Sequence, residues 1–374
     1  MVRTITPTMT DAAPIAKGDQ QDTWIESPLY DSMFFIAAPI LGALYLFASL
    51  RAPHLRIIPG VFFTVGMAHY LSTFSFYFGD DNRANYRSNI LAFFLGPAAL
   101  LVAAGIMRLS PLLPLLLTII YLWNVWHISL QSCGILSVYR HLSSAPHDEK
   151  KYANGLILSV SAALVAANIN GFEPLRQFLV RLSPQVPILI FYASLAAVVI
   201  AGGIYIHRIF YRSRIGMPIR GAEAMFLGSS VVLFHPFAWA SNAADATNGV
   251  LFGHFVQYIA LVWLLHRRKY LPGTGSALQN GLASLSRNVI LLGALMFTLA
   301  VAFYMIGKMT QVYGIYGVYA WLFNALVLIH FYLDGWIWAF KRPFVRQSLG
   351  PYLSRRPIRV SNAAPIGVNA LPAR

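Results

Sequence analysis

The sequence predicts an all-α, polytopic integral-membrane helical bundle, and three observations carry that expectation. The chain is 57% hydrophobic and only 11% charged, with a mean hydropathy of +0.59, far too apolar for a soluble domain of 374 residues. Apolar runs of spanning length, roughly 17 to 25 residues, recur along it. Its basic residues are shared unevenly between the loops that those runs define.

The runs lie at about 32–50, 57–78, 89–107, 112–137, 154–171, 187–207, 223–242, 249–266, 289–308 and 316–340, which predicts ten transmembrane helices. The fifth run and the Asn/Ala/Asp-containing link between the seventh and eighth are the least distinct. The second run carries His69 and the fourth His127. In the seventh, His235 is followed by Pro236, which lacks a backbone donor and predicts a kink. The eighth carries Gly253 and His254, and the tenth carries His330, Asp334 and Gly335. Small residues such as Gly253 and Gly335 predict close helix approach.

With ten spans, both termini and the even-numbered loops share one side, and 22 of the 28 Lys and Arg fall there. The other six, Arg51, Arg56, Arg108, Arg176, Arg181 and Lys308, lie opposite. That bias predicts cytoplasmic N- and C-termini, and in a bacterium the cytoplasmic (inner) membrane. It also accounts for the net charge of +15 without nucleic acid as a partner. Arg208, Arg212 and Arg214, with Arg267, Arg268 and Lys269, are then expected to face anionic membrane lipids. Residues 1–30 read as a polar tail without the pattern of a secretory signal, 31–341 as a single transmembrane domain and 342–374 as a basic, partly disordered tail. Cys133 is the single cysteine, so neither a disulfide framework nor a cysteine-based metal site can be built.

The ten histidines separate into two groups. His54, His141 and His147 fall in loops, and His207 and His266 at helix ends beside arginines, where interfacial roles suffice. His69, His127, His235, His254 and His330 instead lie nine to twelve residues from the cytoplasmic ends of their helices. At 1.5 Å per residue that is a common depth of roughly 14 to 18 Å. Agreement in depth predicts one shared mid-membrane site, for an ionisable side chain is costly in the bilayer unless it serves a partner or a function.

One turn beyond four of these residues stand Thr73, Gln131, Tyr258 and Asp334, each expected to orient the histidine on its own helix face. The expected metal ligands are His69, His127, His235, His254 and His330, with Asp334 as a ligand or as the acceptor for His330. Tyr258 and Gln131 are expected to orient ligands or hydrogen-bond a bound oxygen species, and Gln257, Asn124 and Tyr70 to add polar reach. His141, His147, Asp148 and Glu149 form a looser surface set, and Asp80 and Asp81 read as loop residues or a cytoplasmic proton entry.

Neutral imidazoles with one carboxylate suit non-haem iron, as one ion or two, and the open positions of such a site suit oxygen activation. Haem b or copper are the alternatives. At mid-membrane, oxygen and an apolar chain have the readiest access, which points to an oxidoreductase of the oxygenase, hydroxylase or desaturase type acting on a lipophilic substrate. With no Rossmann glycine fingerprint or flavin motif, reducing equivalents would come from a separate electron donor. A proton-coupled transporter and a membrane assembly factor are readings from other classes. The design, histidines gathered from several membrane helices, is similar to that of the integral-membrane non-haem iron desaturases and hydroxylases. Their HxxxH, HxxHH and HExxH boxes are absent, so the resemblance transfers no residue. Membrane carotenoid-cleaving dioxygenases also use dispersed histidines, but no motif here supports that kinship.

Overall fold

The computed structural model describes residues 23–55, 57–78, 80–146, 149–273 and 275–355, and among them every regular element is helical. Ten helices of 12 residues or more follow in order: α1 (Ala38–Arg51), α2 (Ile57–Ser72), α3 (Gly96–Arg108), α4 (Leu113–Leu142), α5 (Lys150–Ala167), α6 (Val186–Arg214), α7 (Gly221–Val232), α8 (Ala243–Lys269), α9 (Val289–Val312) and α10 (Tyr316–Ile337). Seven stretches, containing α2, α3, α4, α6, α8, α9 and α10, are long and apolar enough to cross a membrane. An eighth arises if the helical stretch Pro28–Ile36 and α1, bent by 48°, count as one span.

The expected fifth and seventh spans are the two that do not reach that length or apolarity. α5 spends its 18 residues on Lys150 and Lys151 and on the polar Asn154, Ser159 and Ser161. α7 stops after 12 residues at Val232, and a four-residue helix resumes at Pro236. Proline cannot donate to the preceding turn and its ring crowds the residue before it, so the predicted kink is a full break.

Both short helices still run counter to their neighbours. At one end, Arg140 near the close of α4, Glu149 before α5, Arg212 near the close of α6 and Glu223 in the first turn of α7 meet as a buried ion network. Arg212 reaches Glu223 at 2.7 Å and Glu149 at 3.6 Å, and Arg140 reaches Glu149 at 3.7 Å. At the other end, the Asn168 amide after α5 donates to the carbonyls of Ala240 at 2.9 Å and Phe237 at 3.3 Å, beyond the break in α7. The directions of α4, α5, α6 and α7 therefore alternate.

α8 is the central element: 78% of its most apolar window is buried, against 6% in α6 and α9. It starts cleanly because the Asn242 side chain accepts from the backbone N–H of Asp245 at 2.8 Å and so caps the helix. It packs on α1 and α2. A Cβ added at Gly253 would run into the Ala38 carbonyl, and one at Gly42 into that of Gly249, so glycine sets the α1–α8 spacing. Gly335 differs from that expectation, since an added Cβ there meets nothing within 4 Å.

The described parts of the expected tails are docked on the bundle. Ile25 is fully buried, Glu26 pairs with Arg268 and Arg355, and Asp31 accepts from Tyr139 at 2.8 Å. After α10, the helix Pro343–Ser348 and the turn that follows bury Val345, Leu349 and Leu353. Apolar residues spaced through a polar stretch give it a face to bury, and the basic composition of the tail masked that signal.

Candidate metal centre

Four of the five expected histidines converge. His69 in α2, His127 in α4, His254 in α8 and His330 in α10 are all buried, the most accessible being His127 at 8%. Ring centroids lie 4.4 Å apart for His69 and His330, 4.7 Å for His69 and His254, 5.0 Å for His127 and His330, and 5.1 Å for His127 and His254. Ring nitrogens of His69, His127 and His254 fall within 4.8 Å of one another, as do those of His127 and His330 with a carboxylate oxygen of Asp334. His127 belongs to both groups, so they form one five-residue cluster. Ligand atoms about 2.1 Å from an ion stand up to roughly 4.2 Å apart, and this cluster is close to that spacing.

Three of the residues one turn along, Thr73, Tyr258 and Asp334, hydrogen-bond to residues other than their own histidines. Thr73 and Tyr258 each donate to Asp334 Oδ1, at 3.0 and 2.8 Å. Thr73 Oγ1 also lies within hydrogen-bond distance of His330 Nδ1, at 2.7 Å, and of the Tyr258 hydroxyl, at 2.8 Å. Trp338 Nε1–H donates to Tyr258 at 3.3 Å. Thr73 opens the 3-10 stretch Thr73–Phe78 that follows α2, and it shares its face with His69, since both meet His330 and Tyr258. Asp334 does not accept from His330. Its Oδ2 faces His330 Nε2 at 3.8 Å and His127 Nε2 at 3.9 Å, as a fellow ligand would.

What distinguishes the cluster is what it lacks. Six buried ring nitrogens, both of His69, both of His254, and Nε2 of His127 and His330, have no hydrogen-bond partner among the described residues. A buried polar atom without a partner costs about 1–3 kcal/mol, so six together approach the roughly 5–15 kcal/mol that stabilises a whole domain. A cation accepting lone pairs from these imidazoles removes most of that cost. Searches of protein-family models, curated proteins and solved structures find no match to this chain. The chemistry of the site is therefore read from its geometry alone.

His235 is not brought to the cluster. It sits in the break between α7 and Pro236, half-buried, with Nδ1 2.9 Å from the Val232 carbonyl and its ring against Trp239. The break turns the side chain away from the face that an unbroken helix would present, which its position in the sequence did not reveal. Gln131 lines the cavity described below, and neither atom of its amide has a hydrogen-bond partner. Gln257 turns away from the histidines and donates to the Phe35 carbonyl at 2.7 Å. Tyr70 packs edge-on to His69 and His330, and Phe255 and Phe331 lie against His69 and His127.

Among the histidines expected at the interface, His54, His141 and His207 are exposed, but His266 is buried and within 2.6 Å of the Ser75 hydroxyl. Of the looser surface set, Glu149 belongs to the arginine network, and His147 and Asp148 lie outside the described residues. Asp80 and Asp81 open the helix Asp80–Ser88; their side chains also lie outside the described residues.

A cavity of about 540 Å³ abuts the cluster between α4, α8 and α10. His127, Asp334 and Tyr258 form one part of its wall, Trp126, Leu130 and Trp336 contribute apolar surface, and Lys341 and Arg342 also line it. Its size is that of a pocket for one drug-sized molecule.

Proposed function

We propose that the chain is an integral-membrane, metal-dependent oxidoreductase in which His69, His127, His254, His330 and Asp334 hold iron beside a site for a lipophilic substrate. The observation that carries this reading is the set of six partnerless buried nitrogens meeting a carboxylate oxygen at mid-bundle. Four neutral imidazoles and one carboxylate leave a divalent ion with net positive charge, suited to polarise a bound oxygen ligand. The close crowding of four rings favours a bare ion over haem, because it leaves no flat slot for a macrocycle between any two of them.

Thr73 and Tyr258 act as positioning residues that hold Asp334 Oδ1 and so aim Oδ2 at the ion. Gln131 faces the cavity, where its amide can hydrogen-bond an oxygen species or substrate group. The chemistry such an ion supplies is hydroxylation or desaturation with oxygen. In hydroxylation, one oxygen atom enters a C–H bond and the other leaves as water, with two electrons and two protons from a separate donor protein. The alternation of α4 to α7 supports a ten-helix topology in which α5 and the broken α7 complete the count. The 22-to-6 bias of basic residues then supports cytoplasmic termini.

The test is elemental analysis of the purified full-length chain together with an optical spectrum. Near-stoichiometric iron without a Soret band is the expected result. A Soret band would replace the ion by haem, copper in place of iron would change the metal, and absence of any metal after expression with iron, copper and zinc would leave a carrier or assembly role.

A further inference from the structure

The cavity beside the cluster is asymmetric in a way that specifies its ligand. His127, Asp334 and Tyr258 lie at one end, while Lys341 and Arg342 lie beyond the C-terminal end of α10. The Arg342 guanidinium is laid over the Trp336 ring, 3.4 Å from its centroid, and no carboxylate among the described residues pairs with it or with Lys341. A guanidinium held flat on an indole retains its fork of N–H donors for a planar anion. Burial pushes its ionisation below the usual arginine range, opposed in part by Tyr332, and a bound anion would oppose it further.

The wall between the two ends is apolar and open. Gly134 on α4 and Gly335 on α10 both line it, and a Cβ added at either meets nothing within 4 Å. The space there belongs to the cavity and not to a neighbouring helix. Trp126 and Leu130, also in the wall, are 53% and 43% exposed, so this side faces outward between α4 and α10. A molecule dissolved in the bilayer can enter there.

We infer that this cavity binds a single-chain amphiphile with a carboxylate head, seated at Arg342 and Lys341, its apolar chain passing Gly134 and Gly335 toward His127 and Asp334. The inference rests on the reading of the cluster as a metal site for a lipophilic substrate and names the class of that substrate. A cavity of about 540 Å³ admits one chain and not the two tails of a phospholipid. Asp334 lies within α10 and Arg342 five residues past its end at Ile337, and both line the cavity as separate fixed points of its wall. Holding the head therefore fixes which segment of the chain lies beside the ligands, so the site counts carbons from the carboxylate.

Binding is measured on full-length protein in a neutral maltoside detergent, by energy transfer from tryptophan to a fluorescent polyene fatty acid and to the matching polyene alcohol. The fatty acid is expected to bind at least about tenfold more tightly than the alcohol. Arg342→Gln with Lys341→Gln should erase that preference, Arg342→Lys should keep part of it, and Gly134→Leu should weaken both ligands by filling the chain site. Equal binding of acid and alcohol by the wild type, or unchanged binding in Gly134→Leu, would overturn the inference. Preference for a single-chain phosphate over the carboxylate would overturn the choice of head group. The same titration on chelator-treated protein and on His254→Ala separates this result from the metal reading, because the carboxylate preference should persist without metal while metal content is read independently by elemental analysis.

Discussion

Two buried polar clusters sit in this bundle and they are built on opposite terms. In the Arg140–Glu149–Arg212–Glu223 network, guanidinium meets carboxylate at 2.7 to 3.7 Å. The charges answer one another, and what the network accomplishes is to join the ends of α4, α5, α6 and α7. In the histidine cluster, imidazole meets imidazole, and among the described residues the one hydrogen bond made by a ring nitrogen there joins His330 and Thr73. A polar group buried for architecture brings its own partner, whereas one buried for a ligand waits for it. Removing a member should therefore have opposite consequences in the two places.

The largest expected effect is in the self-paired network. Glu223→Gln leaves Arg212 buried and under-compensated, which should cost about 3–5 kcal/mol and appear as a marked fall in the thermal midpoint in detergent. Metal content per folded molecule should not change. If it falls as stability does, the two clusters are one energetic unit and the contrast fails.

Next in size are the proposed ligands. His254→Ala or His330→Ala should lower metal affinity by at least about 100-fold, more than loss of an orienting partner typically costs. In metal-free protein His254→Ala should unfold no more easily than wild type, because both of its ring nitrogens had no partner, whereas His330→Ala also loses the bond between Nδ1 and Thr73. A large loss of stability in the metal-free His254→Ala variant would mean that the imidazole serves packing.

A smaller effect is expected one step out. Thr73→Val removes both the hydrogen-bond partner of His330 and a donor to Asp334, and should weaken metal binding by about 10-fold, with Thr73→Ser restoring it. Full affinity in Thr73→Val would show that the ligands orient themselves.

The smallest concerns Glu26, outside both clusters, where the N-terminal segment is tied to Arg268 and Arg355. Burial pushes this carboxyl up, but hydrogen bonds from Arg355 and Arg268 outweigh it and hold its ionisation below the ordinary glutamate value of 4.5. The unfolded chain thus binds the proton more readily. The stabilisation is present above 4.5 and is lost as the pH falls through the lower value of the folded state. Glu26→Gln should flatten that acid limb of a thermal-midpoint curve and cost less than about 1 kcal/mol at neutral pH, given the exposure of Arg355. An unchanged acid limb would leave the tie without energetic weight.

Legibility in the sequence followed the range of the forces involved. His69, His127, His254 and His330 were found by depth, since α-helical rise is constant and each lies well inside an apolar run. His235 met the same criterion and does not join them, because Pro236 breaks the helix and depth no longer predicts direction. The pairing of Thr73 with His330, and of Tyr258 with Asp334, was hidden for a related reason. Periodicity describes neighbours on one helix, and these bonds cross between helices. The cavity was invisible because Gly134 and Gly335 resemble packing glycines until the neighbouring helix is known to be absent.

By itself the sequence determined the solvent, the helical class, the layer and the donor types, since composition, run length and rise per residue are local properties. Only the tertiary structure decided which histidines meet, that Asp334 turns Oδ2 and not Oδ1 to them, and that open space lies beside them. Those are outcomes of helix rotation and contact, set by glycine crossings such as Gly253 on Ala38. No pattern along one helix encodes the angle at which it faces another.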